Sequence, residues 1–479
     1  MMVRQVSTYL VANIVTAILG FASVMIFTRL LGPHDYGVYI LGFSLASMLS
    51  AFLFNWIKSS VVPFTAGHEE TDLRLTAGLA LLCMTPLIPV LYFAIAALAP
   101  GYAESLLPAI LLAFGIGLFE FYLETYRARQ KTRLYLVSTI VRAVFALILS
   151  LLLVNVFGLG GTGLVTSVAL SYGLTSLLFA ATIWRGPLKP FEPKLLRALL
   201  VFGLPMTVSS TVFVLQTMLD RFVLAGAMGE HAAGLYGASA DLVRQIMLFP
   251  GVAIGTAVVP IAVHFLARDD HNGLDQHLVE STEMLLAILA PAAAGLAIVA
   301  GKLAFVVLGE EFRIEATSLI PILALAWLFR SVTYQILHVS FQVKRKPGLM
   351  LAQGVVTLAL NAAALFILVP RFGLAGAAWA LVLSEALGMI IGYVLTRWSY
   401  QLPLAPPSLL RVGLATLIMA LPAFWLDRVM PGYGALDIAL PILAGVLAYG
   451  LAAYGLDIAG IRTRLKTLAA SPKPTPAVR

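Results

Sequence analysis

LLPAILLAFGIGLFEFYLETYRARQKTRLYLVSTIVRAVFALILSLLLVNVF, residues 106–157, holds two long apolar blocks joined by one basic turn, RARQKTR at 127–133. At about 1.5 Å of rise per residue, about 20 helical residues cross the hydrocarbon of a bilayer. Each block, 106–126 and 134–157, is long enough to do so, and the charge-dense turn fixes the boundary between them. A membrane barrel is excluded, because its strands would alternate in polarity and these blocks do not.

The same grain runs through all 479 residues, of which 60% are hydrophobic and 11% charged, with mean hydropathy +0.96. A soluble protein of this length needs far more polar surface. Fourteen spans can be marked: 8–30, 37–57, 77–99, 106–126, 134–157, 162–184, 198–219, 234–262, 279–300, 316–340, 349–369, 373–396, 409–427 and 437–456. The last two contain Pro422 and Pro441. The expected fold is therefore all-α, a polytopic membrane protein of about 14 helices. The first block, Tyr9 to Leu30, is too long for a signal-peptide core and lacks a small-residue cleavage site, so it reads as a retained helix. Cys83 is the sole cysteine, and no metal-ligand spacing, Walker loop or nucleophile motif occurs. No enzyme activity, catalytic residue, metal or cofactor is expected, and the chain cannot by itself be an ATP-driven pump.

Loop charge sets the orientation. With the N-terminus in the cytoplasm, and cations at span ends counted with the adjoining side, 22 of the 31 Lys and Arg residues fall inside, six fall outside, and three lie deep within spans. The inside set includes RARQKTR, the loop from Arg185 to Arg197, KRK at 344–346 and the C-terminal tail, while the loops near Gly101 and Gly160 carry no cation. A shift of one span would destroy this segregation, so the even count places both termini in the cytoplasm. The net charge of +8 is then topological, and no nucleic-acid partner is needed to explain it.

The chain repeats itself. DYGVY at 35–39 resembles AAGLY at 232–236, an offset of 197, and each follows a basic residue at the end of a span, in TRLLG (28–32) and DRFVLAG (220–226). FGLGGTG at 157–163 resembles FGLAGAA at 372–378, and RARQKTR has a counterpart in QVKRKPG at 342–348. These landmarks define a six-helix lobe at 1–184, a cytoplasmic linker at 185–197, a second six-helix lobe at 198–396, two further helices at 397–456 and a basic tail at 457–479. Six helices per lobe give both lobes the same orientation, related by an axis along the membrane normal with a central cavity between them.

TRLLGPHDYGVY near the start of the first lobe resembles the opening motif of the polysaccharide-biosynthesis, or Wzx-type, oligosaccharide flippases. VFGLPMTVSS (201–210) and DRFVLAGAMGEHAAGLYG (220–237) are similar to the start of the second lobe in that family. The resemblance covers nearly the whole chain, within the wider superfamily that also holds multidrug extruders and the lipid II flippase. It implies alternating access by two helical bundles, with a lipid pyrophosphate-linked sugar as cargo in a bacterial cytoplasmic membrane. The turn residues Gly32, Pro33, Tyr36 and Gly37 also have a structural reading, as a tight connection between antiparallel helices with tyrosine anchored at the membrane interface.

Three arginines inside apolar spans carry the functional expectation, because a cation there costs about 2.5–3.5 kcal/mol on insertion scales unless it meets a polar interior and an anion. Arg142 either binds phosphate or snorkels to the interface. Arg244 shares a helical face with Asp241, as a self-neutralising pair or as a grip that opens when phosphate competes with the aspartate. The 197 offset puts Ser44 and Ser47 at the matching positions, so the first lobe is uncharged where the second is charged. Arg330, Tyr334 and His338 form a polar stripe, and Arg330 lies too deep to snorkel easily, which makes it the leading pyrophosphate contact. Asn13 and Gln216 could contact sugar hydroxyls or neighbouring helices. Glu120, Asp241 and Glu385 could load a coupling proton or sodium ion, or pair with buried arginines; for Glu124 beside Arg127 the ion pair is favoured.

Two rival functions are a cation-coupled multidrug exporter and a non-transporting scaffold for glycan assembly. Helix 1 has no acid and the arginines would repel cationic drugs, while a scaffold has no need of buried arginines. The expected partners are the lipid-linked oligosaccharide, membrane lipid, and the glycosyltransferases and polymerase of the same pathway, acting with a monomer.

Overall fold

The computed structural model describes residues 15, 18–65, 72–98, 101, 103–403 and 405–462, and among these every regular element is helical. In chain order they are α1 (Ile18–Leu30), α2 (Pro33–Thr65), α3 (Arg74–Cys83), α4 (Leu87–Leu98), α5 (Ala103–Ala128), α6 (Thr132–Ser150), α7 (Gly160–Trp184), α8 (Pro193–Met228), α9 (Glu230–Ala267), α10 (His271–Ile298), α11 (Ala300–Val307), α12 (Arg313–Val332), α13 (His338–Val343), α14 (Pro347–Thr396), α15 (Pro406–Val429) and α16 (Ala435–Gly455). Twelve stretches among the described residues are long and apolar enough to cross a membrane, and the shorter apolar α1 precedes them. The protein is thus a polytopic all-α membrane protein. Its outer surface fits that solvent: Leu98, Leu177 and Leu451 are 86%, 74% and 76% exposed, as they should be where lipid rather than water is the neighbour.

Element boundaries depart from the marked spans where backbone geometry intervenes. The span expected at 77–99 is broken by a turn at 84–86 into α3 and α4. The two spans expected at 349–369 and 373–396 are joined in α14, which bends at Gly373, where φ is +55°. A side chain is strained at that φ, so glycine supplies the break. Helices α8 and α9, of 36 and 38 residues, run past the charged positions at which the apolar windows stop. Pro422 and Pro441 are accommodated inside α15 and α16.

The chain forms two compact units, cut differently from the lobes of the repeat. One comprises Met1–Gln245, Leu308–Glu315 and Gly354–Ser384. Within it α2 packs on α5, α7 and α8, and α7 packs on α5 and α6. Aromatic residues (Phe54, Trp56, Phe121, Tyr122, Tyr126) form one core, and small residues (Ala46, Ala109, Ala113) let helices approach closely in another. The other unit comprises Ile246–Val307, Ala316–Gln353 and Glu385–Arg479. There α15 packs on α16 and α10, around Val412, Ala415, Ala453 and Ile458.

In the first unit the two copies of the repeated motif touch. A Cβ at Gly37 would collide with the carbonyl oxygen of Glu230, and a Cβ at Gly234 would collide with the carbonyl oxygen of Pro33. Both pairs obey the 197 offset, so the copies interlock reciprocally, glycine against the partner's backbone. Asp35 of the same motif accepts a hydrogen bond from the Gly161 amide at the start of α7, at 3.2 Å, where the free amides of a helix N-terminus favour an anion. The linker after α7 is also held: Arg74 pairs with Asp72 at 2.6 Å and donates to the carbonyls of Ile183, Arg185 and Pro187 at 2.7, 3.1 and 2.9 Å.

Candidate functional site

Within the first unit, α1, α2, α6, α7 and α9 enclose a cavity of about 270 Å³ whose lining includes Tyr36, Tyr39, Arg142, Tyr172, Asp241 and Arg244. Two arginines and one aspartate on its wall give it a net positive charge. Arg142 reaches it from α6, with its guanidinium carbon 4.7 Å from the Tyr172 ring centroid and 6.0 Å from that of Phe119. Among the described residues no carboxylate lies within 4 Å of Arg142, so its charge is met by aromatic faces, which attract a cation without neutralising it. Arg142 thus lines the cavity wall.

Arg244 and Asp241 lie one turn apart on α9, 3.1 Å between Nη2 and Oδ1. The Arg244 side chain is 25% exposed, and its Nε is buried with no hydrogen-bond partner among the described residues. Because the side chain is partly exposed on the cavity lining, its charge is available to an anion there. The same Asp241 oxygen also pairs with Arg221, 2.7 Å away, whose side chain is 3% exposed. Arg221 also donates to the Ser44 hydroxyl at 3.3 Å. Ser44 and Asp241 are equivalent under the 197 offset, so one buried arginine spans the two matching positions of the repeat. Hydropathy misses this role, because the apolar window ends before Asp220 and leaves Arg221 in a loop. The match of DRFVLAG to TRLLG is the signal in the residues that marks the segment. Asp220 in turn accepts a 2.6 Å hydrogen bond from Tyr236, the tyrosine of AAGLY.

The remaining expected residues separate from this cavity. Arg330, expected as the leading pyrophosphate contact, lies in the second unit and is bound to Glu385, with Nη2 at 2.6 Å and Nε at 2.8 Å from one carboxylate oxygen. Their side chains are 4% and 2% exposed, and Trp327 covers the guanidinium at 5.1 Å. The structure corrects that expectation: the anion that Arg330 meets is a protein carboxylate, which also gives Glu385 its partner. His338 bonds Gln353 at 3.0 Å, and Gln353 donates to the Gly388 carbonyl at 3.2 Å, so the polar stripe ties α13 to α14. Gln216 is buried and donates to the Gly354 carbonyl at 2.6 Å, a helix-packing bond. Glu120 meets Lys58 at 3.0 Å in a half-exposed pair, and Glu124 meets Arg127 at 3.1 Å. Tyr36, expected at the membrane interface, is 1% exposed and packs edge-on against Phe312, 5.5 Å between ring centroids. Asn13 lies outside the described residues.

Two family models match the chain. That of the polysaccharide biosynthesis proteins matches residues 2–265, and that of the lipid II flippase MurJ matches residues 177–445. A Shigella flexneri protein named for O-antigen transport is 24% identical over 229 residues, 47% of this chain and 53% of that one. A Haloferax volcanii protein named as a flippase of low-salt glycan biosynthesis is 24% identical over 291 residues, 59% of this chain and 58% of that one. The chain thus spans a little over half the length of these curated relatives. Among solved structures, lipid II flippase MurJ in an inward closed conformation superposes with a TM-score of 0.74 at 14% identity, over 93% of this chain and 98% of that one. An inward-facing multidrug MATE transporter superposes with a TM-score of 0.65 at 15% identity, over 81% and 97%.

Proposed function

This chain belongs to the polysaccharide biosynthesis protein family, and from that premise we propose that it flips a lipid pyrophosphate-linked oligosaccharide across a bacterial cytoplasmic membrane. The observation that carries the reading is the pair of cations on one cavity wall, Arg142 with no carboxylate within 4 Å among the described residues and Arg244 with its side chain 25% exposed. Arginine suits the role, since its planar fork matches phosphate oxygens and stays charged at any physiological pH. A diphosphate entering the cavity would meet the charges of Arg142 and Arg244, while Asp241 keeps both arginines of α8 and α9 oriented. The names of the two curated relatives, a transporter of O-antigen and a glycan flippase, support the same cargo class.

A cavity of about 270 Å³ accommodates a phosphate group and not a whole glycan. Transport therefore requires the cavity to enlarge and then to open on the other side, the lipid tail remaining in the bilayer. Both termini lie in the cytoplasm, glycosyltransferases supply the cargo there, a polymerase consumes it outside, and a monomer suffices. Arg330 and Glu385 serve as a helix-to-helix bond.

The test is flipping of a fluorescent lipid-linked oligosaccharide in proteoliposomes. Arg142→Ala and Arg244→Ala each lower the rate on the order of tenfold or more, the worth of a hydrogen bond to a charged group. Wild-type rates from both folded variants would overturn the assignment.

A further inference from the structure

The second unit holds a different cavity, about 380 Å³, among α10, α12, α14 and α15, within the size range of small-molecule sites. Its walls are apolar, built by residues such as Leu286, Phe329, Ile336, Met389 and Ile390. One ionisable acid interrupts them. Glu283, in α10, lines the cavity and is 7% exposed. Among the described residues it makes no ion pair, and its Oε1 is buried with no hydrogen-bond donor. The Tyr449 hydroxyl, within reach of the Glu283 charge, does not bond it and is itself without a partner among the described residues.

We propose that this cavity binds a lipophilic monoammonium compound, its N–H groups on the Glu283 carboxylate and its hydrocarbon body against the apolar wall. A carboxylate buried without counter-charge is costly, and an ammonium supplies both the missing charge and the missing donor. The apolar wall accounts for the rest, since it offers nothing to a hydrophilic amine or a hydrated metal ion. The charge also separates this site from the one for anionic cargo, because Glu283 repels a pyrophosphate. An acyl chain would satisfy the wall and leave the carboxylate oxygen without a donor, so charge complementarity selects the cation.

The experiment uses the full-length protein in nanodiscs and equilibrium dialysis with labelled 4-phenylbutylammonium, with 4-phenylbutanol as the uncharged control. The expected result is saturable binding of the ammonium, weakened about tenfold or more by Glu283→Gln, with the alcohol binding weakly to both proteins. Met389→Trp, which fills the cavity and leaves the carboxyl in place, abolishes binding as well. Alcohol binding as tight as that of the ammonium would make the site one for neutral apolar bodies and overturn the proposal. So would ammonium binding unchanged by Met389→Trp, the arm that stands if Glu283→Gln fails to fold, or no saturable binding to the wild type.

Discussion

Arg142, Arg244 and Arg330 look alike in the sequence, yet they meet three different surroundings: aromatic faces, a shared aspartate beside a cavity, and a private carboxylate. The difference sets what each loses on substitution. Arg330→Leu leaves Glu385 charged in a site 2% exposed, and breaking such a buried pair costs about 3–5 kcal/mol. Replacing both by leucine removes the orphaned charge, so the double variant recovers most of that loss. Thermal unfolding in detergent of the two singles and the double checks this: a double variant no more stable than its worse single parent would mean that the pair is not the coupled unit described.

The motif glycines act between helices. With Gly37 against the Glu230 carbonyl and Gly234 against that of Pro33, the starts of α2 and α9 approach as closely as backbones can. An added methyl at either position forces them apart, at about 1–3 kcal/mol for overpacking. Gly37→Ala and Gly234→Ala should each lower the unfolding midpoint and slow flipping, whereas Gly226→Ala, with open space around it, should do neither. The linker after α7 depends on charge as well. Burial pushes the Asp72 carboxyl up, but hydrogen bonds from the Arg74 side chain and backbone, and the Arg74 charge, outweigh it and hold Asp72 below the usual carboxylate range. A folded pKa below the unfolded value of about 3.9 gives stability that is present above that value and fades as pH falls through the folded one. The stability gap between wild type and Asp72→Asn should therefore be full at neutral pH and shrink in acid. A gap independent of pH would show that the pair's charge is not what holds the linker.

Across the chain, the expected segregation of 22 inside cations from six outside is a statement about topology that cysteine labelling can read. Cys83 is the sole native cysteine, so Cys83→Ser gives a clean background. In that background Gly101→Cys should react with a membrane-impermeant maleimide in intact cells, and Lys131→Cys only after permeabilisation. The reverse pattern would invert the protein and reassign its cargo entry to the other face.

Fold class is legible in the residues because the bilayer imposes a one-dimensional rule: apolar runs of fixed length, broken by charge. The same rule explains the misses. It leaves Arg221 in a loop because Asp220 and Arg221 end an apolar window, though α8 continues to Met228 and buries both. Spacing along one helix correctly joins Asp241 to Arg244, three residues apart. It cannot join Arg330 to Glu385, 55 residues apart, or show that Glu283 has no counter-charge among the described residues of its apolar cavity. Which buried charge finds a counter-charge depends on how separate helices pack, and hydropathy along the chain carries no record of that packing.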